Sequence, residues 1–291
     1  SGLIESFGEG VHDLKVGDPV CANCVMACGS CGFCKSGRGN LCKNEGTFTL
    51  IGIEIDGGMA DYMVSKRRRL FRLPSCLPLK IGALSEPFAC SLHSFEQTAK
   101  SLDPATSNTL VIGCGWTGMA MALLLHHKGF KKITVVQGSK PRRDALLRFE
   151  LGICVMRPDA LKQEFKDKNG RNEGFDFIFD TAGTRESLKE YLPLARRGAQ
   201  FCIFGLTTKD TSLRLDAANP VDITLNEINI FGAICSNPDE MSKSIEAIED
   251  IHKSIDLSKI GIKLYSIENY EEGFKDMQNK TATKVMFEFN A

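Results

Sequence analysis

One ten-residue stretch, Thr109–Gly118 (TLVIGCGWTG), constrains this chain more than any other. Leu110–Val111–Ile112 reads as a short buried strand, Gly113-x-Gly115-x-x-Gly118 as a tight turn, and the apolar run from Met119 to Leu125 as the helix that follows. In such a unit the first glycine permits the sharp bend, the second lets backbone close on a pyrophosphate, and the third lets helix pack on strand. The helix start, with Trp116 and Thr117, then offers free N–H groups and the positive end of its dipole to a phosphate. Glycine spacing alone is a weak signal, because Gly-rich turns are common. The strand before it and the helix after it make it a dinucleotide site.

Around this unit the chain alternates. From about Phe95, apolar runs at Leu110–Ile112, Ile133–Val136, Ile153–Met156, Phe175–Phe179, Phe201–Phe204 and Ile228–Ile234 read as strands, with longer amphipathic or apolar segments between most of them. That pattern predicts an α/β fold with a doubly wound parallel sheet, helices on both faces. Residues 1–95 instead read as β-rich and loop-rich, with turns at Gly17–Asp18 and Gly57–Gly58. In the tail, Met241, Ile245, Ile248 and Ile251 share one helical face, a second helix carries Tyr270, Phe274 and Met277, and Lys284–Phe289 is strand-like.

The chain's 291 residues carry 36 basic and 36 acidic side chains. This balance gives no general pull toward nucleic acid or anionic membrane. Lys66–Arg69 with Arg72 is a local basic cluster, but no aromatic platform flanks it, and it reads as a solvated turn. No apolar stretch approaches the roughly 18 residues of a membrane span, and SGLIESFGEG lacks the basic start and apolar core of an export signal. The expectation is a cytoplasmic protein acting on a small molecule.

Six of the twelve cysteines fall in Cys21–Cys42. Cys28, Cys31, Cys34 and Cys42 follow C-x2-C-x2-C-x7-C on a glycine-rich chain, a spacing at which four thiolates can converge on one zinc ion at about 2.3 Å each. Four thiolates leave no position for substrate, so such a zinc is structural. An iron–sulfur cluster is the competing reading of this spacing, and disulfides would need an oxidising compartment. Cys21 and Cys24, just upstream, read as ordinary thiols.

VGDPV (Val16–Val20), the four-cysteine lobe, GGMADY (Gly57–Tyr62), LSEPFACSLH (Leu84–His93), the glycine turn and TKVMF (Thr283–Phe287) stand in an order that resembles the zinc-dependent medium-chain dehydrogenase/reductase family, nearest its sorbitol and other polyol dehydrogenases. The resemblance implies a GroES-like catalytic domain with the structural zinc lobe (1–95), a Rossmann domain (96–236) and a C-terminal segment returning to the catalytic domain (237–291). It also implies a homodimer or homotetramer. In that family a catalytic zinc binds the alcohol oxygen, held by a cysteine, a His-Glu pair and a glutamate in a Glu-Pro dipeptide. Glu86, before Pro87, matches that glutamate; taken alone it reads as a helix-capping carboxylate. The counterparts of the other ligands would lie upstream of Ser1, so the resemblance implies an N-terminally shortened chain with an incomplete GroES-like domain. Cys90, His93 and His12 read as structural rather than as substitute ligands. The Arg-Tyr pair of sorbitol dehydrogenases is replaced here by Ala233–Ile234–Cys235 after Gly232, which argues against sorbitol itself.

The cofactor is argued from charge. An NAD site wants a carboxylate at the end of the second strand for the ribose 2′-hydroxyl. Here that place holds Gln137, followed by Ser139, Arg142 and Arg143, which suit a 2′-phosphate. NADP(H) is expected over NAD(H). Asp180–Thr181–Ala182–Gly183 and Phe204–Gly205–Leu206, at the ends of the fourth and fifth strands, line the nicotinamide side or are plain turns. The leading expectation is an NADP(H)-dependent polyol or secondary-alcohol dehydrogenase. A catalytically silent NADP(H)-binding protein and a zinc-free quinone reductase are the alternatives; Glu86-Pro87 and the cysteine lobe argue against the last.

Overall fold

The computed structural model describes residues 1–42, 49–166, 174–206 and 218–289. The N-terminal unit is built from short antiparallel strands. β1 (Gly2–Leu3) pairs with β2 (Pro19–Ala22), while β3 (Val25–Met26) pairs with β4 (Thr49–Leu50), and β5 (Leu70–Arg72) closes the other edge of β2. Ile4, Leu14 and Val20 form its small core. The basic run beside β5 differs from the solvated turn expected of it. Arg67 pairs with Asp13, Arg72 with Asp18 at 2.7 Å, and Arg69 is buried with its guanidinium donating to the Thr49 carbonyl and hydroxyl. These cations fasten loops of their own unit. A short helix, α1 (Gly32–Lys35), lies inside the cysteine lobe. Another, α2 (Leu79–Gly82), leads into α3 (Ser85–Thr98), which crosses to the second unit.

That unit is a six-stranded parallel sheet. Its strands are β6 (Asn108–Ile112), β7 (Lys132–Val136), β8 (Cys154–Met156), β9 (Phe175–Asp180), β10 (Ala195–Ile203) and β11 (Asn229–Gly232), in spatial order β11-β10-β9-β6-β7-β8. Strand side chains alternate across a pleat. Val111, Phe177 and Phe179 therefore join the core on one face, while Leu110, Ile112 and Ile178 join the core on the other. Both faces being covered is why these strands read as unbroken apolar runs.

On the first face α4 (Trp116–His127) lies under α3 and the sheet, and every residue from Met119 to Leu125 is at most 1% exposed. A helix apolar all round has to be enclosed in this way. Along the rest of the chain follow α5 (Lys140–Leu147), α6 (Pro158–Lys166), α7 (Arg185–Tyr191), α8 (Pro220–Leu225) and α9 (Pro238–Ser254). α9 starts at a capping box, Asn237 with Glu240, and buries Met241, Ile245, Ile248 and Ile251 toward α3 and α4.

The tail returns as β12 (Ile262–Ser266) and β13 (Lys284–Glu288), parallel to each other, with α10 (Tyr270–Gln278) between them in sequence. Tyr270, Phe274 and Met277 do lie on this helix, yet each is more than 40% exposed, and Phe274 meets Phe287 at 5.7 Å between ring centroids. Tyr62–Val64, a short apolar run that reads as strand-like, forms no strand. Among the described residues no helix is long and apolar enough to cross a membrane.

Candidate active site

β6 and β9 are neighbours in the sheet although two strands intervene in sequence, so the strand order reverses between them. Open sheets of this kind bind ligands at the carboxyl ends of such a pair. Gly113, at φ +92°, follows β6 and takes its bend where an added Cβ would strike the Thr181 hydroxyl. A Cβ on Gly118 would strike the Gly113 carbonyl oxygen, which shows how closely helix and strand approach. The start of α4 at Trp116 has no side-chain cap. The Trp116 N–H is taken by the Thr283 carbonyl at 3.2 Å, so the returning tail meets the start of this helix. Strand, turn and helix thus approach as closely as glycine alone allows at Gly113 and Gly118.

On the β9 side, Asp180 accepts from the Ala182 and Gly183 N–H groups at 2.8 and 3.1 Å and from the Ser187 hydroxyl at 2.6 Å. Burial raises its carboxyl above the usual range. Gly183, at φ +59°, and Gly205 pass so close that a side chain on either would collide with the other's backbone. Ala182 and Gly205 therefore stand together at the ends of adjacent strands.

At the end of β7 the side chain of Gln137 accepts from the Ser139 N–H at 3.0 Å. The Ser139 hydroxyl donates to the Lys280 carbonyl and Arg142 Nε to the Ala282 carbonyl, which ties this loop to the returning tail. The Arg142 guanidinium lies beside Gly115, and burial lowers its pKa. Arg143 turns back onto the Gln137 and Gly138 carbonyls at 2.8 and 2.6 Å.

The cysteine lobe brings all four predicted thiols together. Their sulfurs lie within 4.8 Å of one another, with Cys28–Cys34 at 3.7 Å, Cys31–Cys34 at 3.5 Å and Cys31–Cys42 at 3.9 Å. A tetrahedron with ~2.3 Å zinc–sulfur bonds has edges of about 3.8 Å, so the set fits one zinc ion. N–H groups of Ser30 and Cys31 point at Cys28 Sγ, at 3.4 and 3.3 Å, as donors to a thiolate should.

Glu86 sits half-buried in the first turn of α3, where its charge also suits the helix dipole. Around it stand thiols that the sequence reads as ordinary or structural. Cys24 Sγ donates to Glu86 Oε1 at 2.9 Å, and Cys90 Sγ approaches the same oxygen at 3.8 Å. The influence of Cys235 first, and burial second, raise the Cys24 thiol, while burial raises Cys90 well above its ordinary value. Lys284 is close enough for Glu86 to oppose the lowering of its pKa by burial. Outside the cysteine lobe, no three potential ligand atoms among the described residues lie within 4.8 Å of one another. The Glu86 cluster as it stands does not fit a metal ion.

Helix α3 links this cluster to the dinucleotide turn, since the Ser91 hydroxyl donates to the Thr117 carbonyl at 3.2 Å. His93, two turns beyond Glu86 on the same helix, is engaged by other partners. Its Nδ1 meets Glu240 Oε1 at 2.9 Å and its Nε2 meets Asn40 Nδ2 at 3.2 Å, in a buried network that closes with Asn237. His12 is exposed.

Two family models match this chain, the alcohol dehydrogenase GroES-like domain over residues 1–75 and the zinc-binding dehydrogenase domain over residues 117–250. The chain belongs to the zinc-dependent medium-chain dehydrogenase/reductase family. It is by family an oxidoreductase. Among curated members it is similar to the L-threonine 3-dehydrogenase of Mesorhizobium japonicum, with 27% identity over 99% of this chain and 80% of that one. Among solved structures it is similar to a Sinorhizobium meliloti chain described as a zinc-binding dehydrogenase and bound to NADP, with 25% identity, 93% of this chain and 76% of that chain covered, and a TM-score of 0.80. A short chain alcohol dehydrogenase from Escherichia coli CFT073, complexed with NADH, shares the fold at a TM-score of 0.82 and 21% identity, over 99% of this chain and 82% of that one. The GroES-like and Rossmann assignments of the fold stand with the family.

Proposed function

We propose that this chain transfers hydride between a polyol or other secondary alcohol and NADP(H). The observation that carries this is the pairing of Ile112 with Asp180, which sets the glycine turn and the Asp180–Gly183 turn side by side at the reversal of strand order. Gly113, Gly115, Thr117 and Gly118 would take the pyrophosphate, the Trp116 N–H being held by the Thr283 carbonyl instead, and Ala182 and Gly205 would face the nicotinamide, which supplies hydride acceptance when bound. At the adenosine end Gln137 brings no charge against a 2′-phosphate, and Ser139, Arg142 and Arg143 bring donors. The four-cysteine zinc holds the lobe in shape. Glu86 is assigned to the alcohol, where a carboxylate can accept a hydrogen bond from the hydroxyl. L-Threonine, the substrate in the curated relative's name, is itself a secondary alcohol, which supports that breadth of substrate class.

A second arrangement, an NADP(H)-binding protein without turnover, is favoured because no three ligand atoms converge at Glu86 among the described residues. Titration with NADPH and NADH, followed by assay of nicotinamide absorbance with sugar alcohols and L-threonine, separates the two. Turnover that disappears in Glu86→Gln while NADPH still binds supports the dehydrogenase. Binding without turnover on any alcohol supports the silent protein, and NADH binding tighter than NADPH rejects the cofactor assignment. For association we infer a homodimer or homotetramer, supported by β11, an open sheet edge, and by the exposed Val221, Leu225 and Ile234 nearby in sequence.

A further inference from the structure

Four buried residues close a ring of hydrogen bonds between the cysteine lobe and the end of the Rossmann sheet. The Asn40 backbone N–H donates to Asn237 Oδ1 at 3.0 Å, and the Asn237 backbone N–H donates to Glu240 Oε2. Glu240 Oε1 meets His93 Nδ1 at 2.9 Å, and His93 Nε2 meets Asn40 Nδ2 at 3.2 Å. Each of the four is at most 9% exposed. Asn40 makes one further bond outside the ring, from Nδ2 to the Ile234 carbonyl at 3.0 Å. A carbonyl only accepts, so it fixes which end of the Asn40 amide faces it.

Ile234 belongs to the turn that follows β11. Gly232 pairs with Ile203, and the Ala233 N–H still donates to the Ile203 carbonyl at 3.1 Å, so the turn leaves the sheet beside Phe204 and Gly205. Cys235, within the turn, has φ +55°, a left-handed conformation that a residue with a side chain keeps only where its surroundings impose it. Here the chain is gripped on either side of it, Ile234 by Asn40 and Asn237 by Glu240.

We propose that Asn40 is a positioning residue for the nicotinamide end of the cofactor site, acting through the turn 233–237. The proposal rests on the dinucleotide reading above, in which Gly205 faces the nicotinamide. Ligands of an open sheet lie beyond the carboxyl ends of its strands, and β11 ends next to β10. The turn therefore continues the site past Gly205, while Gln137 and the adenosine end lie on the far side of β6. Its shape is set from the other domain. Loss of the Asn40 amide frees the Ile234 carbonyl and opens the ring, and leaves the adenosine end untouched.

The test compares NADPH with adenosine 2′,5′-bisphosphate, which carries the adenosine end and no nicotinamide, by titration calorimetry on the zinc-loaded full chain. In Asn40→Ala the NADPH affinity falls by about tenfold, while that for the bisphosphate stays within about twofold of wild type. Asn40→Asp keeps the size of the side chain and the backbone bond to Asn237, but a carboxylate cannot donate to Ile234. It gives the same selective loss, and it carries the test if the alanine variant does not fold. Zinc per chain, measured on each variant, stays as in wild type. Unchanged NADPH affinity overturns the proposal. Equal losses for both ligands, or loss of zinc, overturn it as well, because Asn40 would then support the whole fold or the lobe alone. A wild-type chain that binds neither ligand overturns the NADP(H) reading itself, and this proposal with it.

Discussion

Nδ1 of His93 lies 2.9 Å from Oε1 of Glu240, with both side chains less than a tenth exposed. With its proton on Nδ1, the ring accepts at Nε2 from Asn40, whose amide also donates to the Ile234 carbonyl at 3.0 Å. One imidazole thus joins the zinc lobe, helix α3 and the start of helix α9.

Burial pushes the Glu240 carboxyl up, but bonds from His93 and Asn237 outweigh it and hold it below its ordinary value. A group with such a lowered folded pKa stabilises the fold above its unfolded pKa, about 4.3 for glutamate, and loses that contribution as pH falls through the folded value. Glu240→Gln should therefore cost about 1.5–3 kcal/mol near neutral pH. Urea unfolding repeated at descending pH should show the gap to wild type closing in acid. A gap independent of pH would count against the linkage.

Protein purified without added metal should contain one zinc per chain in the lobe. Cys28→Ser should lose it, along with stability on the order of several kcal/mol. Elemental analysis and thermal unfolding check both. A zinc that survives the substitution would have to be held elsewhere.

Gly118→Ala places a methyl group against the Gly113 carbonyl oxygen. The turn must open, at about 1–3 kcal/mol of stability, and NADPH affinity should fall by roughly tenfold or more. Fluorescence titration beside a melting curve distinguishes a displaced cradle from a globally weakened fold.

Gln137→Asp puts a carboxylate where the proposed 2′-phosphate lies. The ratio of NADPH to NADH affinity should drop by about tenfold or more, corresponding to ~1.4 kcal/mol. No change in that ratio would place the phosphate away from this loop.

The sequence reveals most where chemistry is local. The Rossmann strands are legible because each is enclosed on both faces and so written in continuous apolar residues. The cysteine lobe is legible because its ligands come from one short stretch. The contact of Glu86 with Cys24 is hidden, since the two are 62 residues apart and the C-x2-C of Cys21 and Cys24 says nothing of a carboxylate partner. His93 is legible only as a lone histidine; its partners lie on helix α9 and in the lobe, and only tertiary packing joins them. Arg69 looked solvated because three neighbours share its charge, yet it alone turns inward to Thr49. At Tyr62–Val64 three apolar residues were not enough, because a strand also needs an edge to pair with.

Asn40 stands two residues before Cys42, and its amide reaches the Ile234 carbonyl beside Cys235. The cysteine lobe is consequently fastened to the segment just beyond β11. Removing the ion would loosen a wall against which the Rossmann sheet edge is braced, so the zinc content of a preparation should set how firmly the two domains keep their spacing, even though no substrate atom ever meets that ion.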